Sequence, residues 1–508
     1  MSGATRQLRT LALGLPLALY ALVVVRSAWL CDDAYITYRT VDNFVSGLGL
    51  RWNPAERVQA YTHPLWMFVI SAGYALSGNL YWTALATSLA CSFAAVSTLA
   101  LRLASTPWSA AVAVLTLVLS GAFVDYSTSG LENPLAHLLL VLFLVRFLGH
   151  PLDARNLGWL AVIAALAAVN RPDSVLLYVP ALAGALLRFG RWRGLAIVAA
   201  GFTPLIAWEA FSVVYYGFAF PNTAYAKLKL FLPRDELVAQ GFHYLAHSLR
   251  SDPVTVVVFV VGGVLALLAR SREALLVWAG AALTVAYVVF VGGDFMAGRL
   301  LAAPLLASVV LLARDPRIAR RVGAVGALVC VGALALVAPR PGDGEAVAYE
   351  ELIGPHGITD ERRYYEAFTG LRHYALHGGV PDHPWMAEGE AVRRAGQKLA
   401  LQEANGFFGF AAGPGAHVVD PHGLSEPFLA RLPPPALPDW RIGHVWRDLP
   451  AGYWETLRDG TSRIADPGLA EYRAALVEIT RGPLFARSRW AAIVGMALGR
   501  YESLLPVQ

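Results

Sequence analysis

Two adjacent carboxylates, Asp32 and Asp33, follow directly on the first long apolar run, in the stretch Cys31-Asp32-Asp33-Ala34-Tyr35-Ile36-Thr37-Tyr38-Arg39. Carboxylates are costly to keep beside hydrocarbon, so a pair at the exit of a spanning helix calls for a function. Their repulsion and partial burial raise one pKa, which suits general-base work. The plainer alternative is a solvated helix end with Asp32 capping the next helix. The segment runs on through Asn43, Arg51-Trp52-Asn53-Pro54, Glu56-Arg57 and Gln59-Ala60-Tyr61-Thr62-His63-Pro64. Residues 31–62 thus form a connection of about thirty residues, and long ordered loops are usually functional. Trp52 and the tyrosines equally fit an interfacial belt.

Four more polar groups interrupt apolar surroundings. They are Ser127-Thr128-Ser129-Gly130-Leu131-Glu132-Asn133, the break at Asn170-Arg171-Pro172-Asp173, Pro221-Asn222-Thr223-Ala224-Tyr225-Ala226-Lys227-Leu228-Lys229, and Gly292-Gly293-Asp294-Phe295-Met296-Ala297-Gly298-Arg299. Lys227 and Lys229 are two of three lysines in the chain. A lysine pair with arginines at a membrane surface suits neutralisation of a lipid-linked phosphate. Two residues apart on a helix, the lysines diverge, so one of them contacts the ligand. Each group also reads as an ion pair holding loop to helix: Arg171 with Asp173 or Glu132, and Arg299 with Asp294. His422, in Asp420-Pro421-His422-Gly423-Leu424-Ser425, and Trp440, Trp446, Tyr453 and Trp454 fit a core or turn role better than sugar stacking. No histidine, cysteine and carboxylate spacing points to zinc, and no phosphate loop or nucleophile elbow occurs. The carboxylate-rich loops leave a divalent cation possible but unsupported, and no cofactor is required. Cys31, Cys91 and Cys330 are far apart and read as small core residues.

The elements that must position these residues are membrane helices. The 508 residues are 56% hydrophobic and 15% charged, with a mean hydropathy of +0.50. Ordinary soluble domains carry roughly 25% charge, so a cytosolic enzyme is excluded, as is disorder. Apolar segments lie around 11–30, 63–101, 108–124, 134–148, 194–216, 253–269, 275–291, 300–313 and 322–338. The apolar stretch 158–187 is broken before Pro172 into two short helices. Within 63–101, Leu65–Ala75 and Ala84–Leu101 read as two helices, one of them interfacial or re-entrant. The expectation is an α-helical polytopic membrane protein with about eleven transmembrane helices.

Sidedness follows from arginine. Loops carrying 14 basic and 3 acidic residues alternate with regions carrying 10 and 12, which places the N-terminus in the cytoplasm and residues 31–62 outside it. Before residue 339 there are 24 basic and 15 acidic residues, and from 339 on 17 and 21. The net charge of +5 therefore reflects short basic loops, and nucleic acid is not a partner. Residues 1–338 read as the membrane domain and 339–508 as a soluble, extracytoplasmic α+β domain. There, Phe407–Ala412 and His417–Val419 are expected as buried strands, and Asp466–Thr480 and Ala486–Leu505 as amphipathic helices.

Asp32-Asp33-Ala34-Tyr35-Ile36, Arg51-Trp52-Asn53-Pro54-Ala55-Glu56-Arg57, Thr128-Ser129-Gly130-Leu131-Glu132, Arg171-Pro172-Asp173, the run from Tyr215 to Lys227, Gly292 to Arg299 and Asp420 to Leu424 occur in one order over nearly the whole chain. In this the chain resembles the terminal arabinofuranosyltransferases of the mycobacterial cell wall and, more distantly, pilin arabinofuranosyltransferases. The resemblance implies a GT-C glycosyltransferase of a bacterial plasma membrane. Its donor is a polyprenyl-phosphate-linked sugar and its acceptor an extracytoplasmic glycan or glycoprotein. It places the catalytic carboxylate at Asp33 or Asp32, acting as nucleophile or as stabiliser of an oxocarbenium-like state, since the family's linkage retains the donor's anomeric configuration. It assigns Lys227, Arg299 and Arg171 to the donor phosphate. His63, Glu132, Asp173, Asn222, Asp294, Glu56 and Arg57 fall to sugar or acceptor. Arabinofuranose is the first choice of sugar, with a hexose or aminoarabinose as alternatives. A transporter of lipid-linked sugar is disfavoured because no paired halves are visible, and a membrane scaffold leaves the polar groups without a purpose.

Overall fold

The computed structural model describes residues 3–228, 232–315, 347–435 and 440–506. The expected apolar segment 322–338, the boundary at 338/339, Cys330 and Lys229 lie outside the described residues. Helix dominates. Strand structure among the described residues is one parallel pair, Leu399–Leu401 beside His417–Val419, with Leu399 opposite His417. The chain divides into two compact units.

The first unit comprises residues 1–31, 81–205 and 234–380. Helix Ala302–Arg314 is buried on every face, as a helix apolar all round must be, and it packs against Pro107–Leu119, Pro253–Ala269 and Arg272–Phe290. Glycine permits two of the closest approaches. A Cβ at Gly280 would collide with the carbonyl of Leu177, and one at Gly262 would stand 2.6 Å from Ser308. Helix starts are fixed by side chains: Thr106 and Ser109 form a reciprocal capping box, and Asp153 accepts from the backbone of Asn156 at 2.7 Å. The expected break before Pro172 is present. Helix Ala154–Asn170 ends at an extended Arg171, a short 3-10 turn follows, and Val175–Phe189 begins.

Among the described residues three helices are long and apolar enough to cross a membrane: Leu80–Leu103, Pro172–Phe189 and Arg272–Phe290. Two bent pairs, Trp192–Gly201 with Thr203–Tyr215 and Arg234–Ser251 with Pro253–Ala269, qualify if each is one span. Five shorter apolar helices accompany them, among them Pro64–Ser77, so the region 63–101 holds two helices as expected.

The second unit comprises residues 32–80, 206–233 and 381–508. The segment 31–62 opens with a helix, Asp32–Val45, followed by irregular backbone. Ile36 of that helix, Trp52 and Ala60 share a core with Ala400, Phe408, Ala412 and Val418. A second core gathers Val419, Phe428, Leu432, Tyr453, Tyr472 and Leu476. One expected strand is wrong: Phe407–Ala412 belongs to a helix, Asn405–Ala412. A short apolar run does not distinguish the two by period. The deciding contact is remote, because the cap position Ala404 offers no side-chain acceptor and Asp32 supplies one instead. His417–Val419 is a strand and Pro467–Arg481 a helix, as expected. The last helix is shorter than the expected 486–505. It ends at Ala497, and Gly499 then adopts a positive φ of 72°.

Candidate functional site

Polar residues concentrate in two constellations, one within each unit. In the second unit the helix Asp32–Val45 starts with both aspartates in its first turn, where carboxylates offset the helix dipole. The two then diverge in environment. Asp32 is buried, and its carboxylate accepts from the backbone N–H groups of Phe407 at 2.6 Å and Gly406 at 3.1 Å. These are donors of the first turn of Asn405–Ala412, which have no partner in their own helix. Gly406 is required for this contact, since any Cβ there would collide with the Asp32 carbonyl. Burial pushes the Asp32 carboxyl up to about 7; the Phe407 N–H opposes the rise and the charge of Asp33 adds to it. The expectation that one pKa of the pair is raised is met at Asp32.

Asp32, Tyr35 and Arg39 fall on the helix face that packs on Asn405–Ala412. Tyr35 meets Phe407 and Phe410, and Arg39 donates to the carbonyls of Gly409, Ala416 (2.8 Å) and Trp52 (2.9 Å). Asp33, half-buried, lies about 100° around the helix, one turn from Thr37 on the same face. Thr37 is hydrogen-bonded to Nε2 of the buried His63 at 2.8 Å. The helix thus presents one aspartate to a clamp and the other to a face bearing a threonine and a positioned imidazole.

The remaining predicted residues of this unit differ in how they are held. Asn222 donates to the carbonyls of Gly423 (2.8 Å), Leu424 and Glu426 and accepts from Arg431 at 3.0 Å, so its amide joins the segment at 221 to the Asp420–Ser425 turn. Arg57 donates to the backbone carbonyls of Tyr215, Ile479 and Gly482. Glu56 is buried and paired with Arg481 at 3.0 Å.

Lys227 is exposed on helix Asn222–Leu228 and forms no ion pair among the described residues. Arg447 steadies its neighbourhood, donating to the carbonyls of Ala226 at 2.6 Å and His422 at 2.8 Å. The rings of His422 and His444 lie 5.5 Å apart, and Nδ1 of His422 is buried without a partner among the described residues. Burial first, then the charges of Arg441, His422 and Lys227, hold His444 well below the usual histidine range. This is a basic neighbourhood in which the His444 imidazole leans neutral. His444 and Arg447 were missed from the sequence, because nothing near residue 445 marks them as partners of residue 227.

In the first unit Glu132 is fully buried and faces two arginines. Arg171 reaches it at 2.7 Å and also Asp173 at 2.7 Å; Arg299 reaches Glu132 at 3.2 Å and Asp294 at 3.7 Å. Both ion pairs read from sequence as the plainer alternative are therefore present. Three carboxylates face two guanidinium groups, so each arginine meets any further anion in competition with a carboxylate. Asn170 donates to the Glu132 carbonyl at 3.2 Å, tying the helix break to this network. The Ser127–Ser129 stretch is engaged with the exit of the first helix: Thr128 accepts from the Trp29 N–H, and the Ser129 carbonyl from Cys31.

No family model matches the chain. Among curated proteins it is similar to the terminal beta-(1->2)-arabinofuranosyltransferase of Mycobacterium tuberculosis, 31% identical over 421 residues, covering 71% of this chain and 66% of that protein. The protein of the same name from Corynebacterium glutamicum is 30% identical over 330 residues, covering 55% of this chain and 47% of its own length. The chain thus spans less than two thirds of the length of these relatives. The resemblance read from the motifs is to these same proteins. Among solved structures, ArnT from Cupriavidus metallidurans bound to undecaprenyl phosphate aligns with a TM-score of 0.44 at 16% identity, over 80% of this chain and 85% of that one.

Proposed function

We propose that the protein is an integral-membrane glycosyltransferase that moves arabinofuranose from a polyprenyl-phosphate donor to an extracytoplasmic glycan or glycoprotein. Support comes from the similarity to two terminal arabinofuranosyltransferases, together with one observation that carries the mechanism. The two adjacent aspartates have separate environments: Asp32 is spent on the Asn405–Ala412 helix, and Asp33 lies one turn before Thr37, which is hydrogen-bonded to His63.

In this reading the bond from the anomeric carbon to the phosphate oxygen breaks and its electron pair leaves on phosphate. Lys227 balances that charge, with His422 and His444 beside it. Asp33 meets the positive charge that develops at the anomeric carbon, as nucleophile or as electrostatic partner. The acceptor hydroxyl oxygen then forms the new bond to that carbon, displacing Asp33 where it has bonded, and its proton passes to the departed phosphate. Asp32 is a positioning residue. In the first unit Glu132, Asp173 and Asp294 neutralise Arg171 and Arg299, so those arginines take up a phosphate only by exchanging a carboxylate partner. The polar groups are assigned to the outer membrane face, within a bundle of about eleven crossings, and residues 339–508 to the same side.

The test is transfer of radiolabelled sugar by purified protein from decaprenylphosphoryl-arabinofuranose to a synthetic arabinoside. Wild-type transfer lost by at least about a thousandfold in Asp33→Asn, with the variant folded, supports the reading. Transfer that survives Asp33→Asn removes Asp33 from the chemistry. Absence of donor binding redirects the search to a hexose or aminoarabinose phospholipid.

A further inference from the structure

Three segments of the second unit meet at a point to which the bond exchange proposed above gives no role. Glu56 comes from the irregular stretch after helix Asp32–Val45, His417 from the strand His417–Val419, and Glu426 from the turn that follows Ser425. Glu56 and Glu426 are 4% and 2% exposed, and His417 is partly buried. Each carboxylate has one oxygen satisfied. Arg481 donates to Oε2 of Glu56 at 3.0 Å, and the Tyr453 hydroxyl to Oε1 of Glu426 at 2.6 Å.

Among the described residues the other oxygens, Glu56 Oε1 and Glu426 Oε2, are buried without a hydrogen-bond partner, and so is Nε2 of His417. These three atoms lie within 4.8 Å of one another. The closest ion-pair approach among them, His417 Nε2 to Glu426 Oε2, is 3.8 Å, beyond hydrogen-bonding range. Two buried carboxylate oxygens and a ring nitrogen thus stand close enough together to share one ion, and among the described residues no hydrogen-bond donor satisfies them. Buried anions of this kind are kept only when paired or when they coordinate metal.

We propose that Glu56, His417 and Glu426 bind a divalent transition-metal ion, Zn²⁺ or Mn²⁺. The chemistry of the donors selects the class. One imidazole nitrogen with two carboxylate oxygens suits a borderline ion, whereas Ca²⁺ and Mg²⁺ take all-oxygen sets. With bonds of about 2.0–2.2 Å, tetrahedral ligands stand about 3.3–3.6 Å apart, so the histidine and Glu426 need close by only a few tenths of an ångström. Water completes the shell. Arg481 and Tyr453 hold the distal oxygens and fix the carboxylates in orientation, as outer partners of metal ligands do. The ion staples the segment after the Asp33-bearing helix to the strand and turn near residue 420, and it takes no part in the bond exchange.

The rival source of positive charge is a proton on His417. The experiment separates the two with the full chain in detergent, stripped with chelator and then titrated with Zn²⁺ or Mn²⁺. Expected are one ion retained per chain after dialysis, a melting transition that rises with added ion, and nitrogen modulation in the electron spin echo of the Mn²⁺-loaded wild type. His417→Gln and Glu426→Gln should bind at least about tenfold more weakly and lose the ion-dependent shift. The spin-echo measurement needs no variant and stands even where one fails to fold. The proposal is overturned if the wild type retains no ion and its melting is insensitive to Zn²⁺ and Mn²⁺. It is equally overturned if His417→Gln binds as tightly as wild type.

Discussion

Replacing Asp32 by asparagine should stabilise the protein at alkaline pH and not at acid pH. The carboxyl is raised from 3.8 to about 7 in the fold, chiefly by burial. The folded state therefore holds this proton more tightly than the unfolded chain, and stability from this group is greatest below about pH 4. It is lost as pH rises through the window from about 4 to about 7, at up to about 1.4 kcal/mol per pH unit. Relative to the neutral side chain, the wild type bears a cost of about 2 kcal/mol at pH 5 and about 4 kcal/mol at pH 8. Asparagine mimics the neutral form but turns an amide toward one of the N–H groups of Gly406 and Phe407, which costs about 1–3 kcal/mol at every pH. The variant should thus be near wild type or slightly weaker at pH 5 and about 1–3 kcal/mol more stable at pH 8, so the gap opens by roughly 2 to 3 kcal/mol. Thermal or denaturant unfolding in detergent at half-unit steps from pH 5 to 8.5 measures it. Parallel curves for the variant and the wild type would falsify the claim that Asp32 is a buried carboxylate ionised at a cost.

Three further outcomes are expected. Asp33→Asn should keep most of that pH dependence, reduced only by the minor share that the Asp33 charge adds to the rise at Asp32, while transfer falls by about three orders of magnitude, which separates the two aspartates in one pair of measurements. Lys227→Ala should raise KM for the phospholipid donor by about ten- to a hundredfold with the fold intact, and Lys227→Arg should restore most of it, as titration of donor against rate will report. Glu132→Gln leaves the buried Arg299 and the half-buried Arg171 facing Asp294 and Asp173 alone and should destabilise by about 2–4 kcal/mol, read as a lowered unfolding midpoint.

Local chemistry made much of this legible from the chain alone. Apolar runs announced the helices, because hydropathy is summed over consecutive residues. Pro172 announced the break at Arg171, because its ring excludes helical backbone in the residue before it. The carboxylate pair at the head of a helix was legible for the same reason, and so were the short-range pairing of Arg171 with Asp173 and that of Arg299 with Asp294.

Tertiary structure alone decided how the polar atoms were shared out. Which of two adjacent aspartates became a clamp depended on two N–H groups some 370 residues away, and the same contact turned an expected strand into the helix Asn405–Ala412. Lys227 gained its imidazole neighbours, and Glu56 its histidine and second carboxylate, only on folding. The physical reason is one of range. Hydrophobic periodicity and backbone sterics act within a few residues. A buried donor or acceptor must be satisfied by whatever the fold brings to it, and no pattern along the chain records that partner.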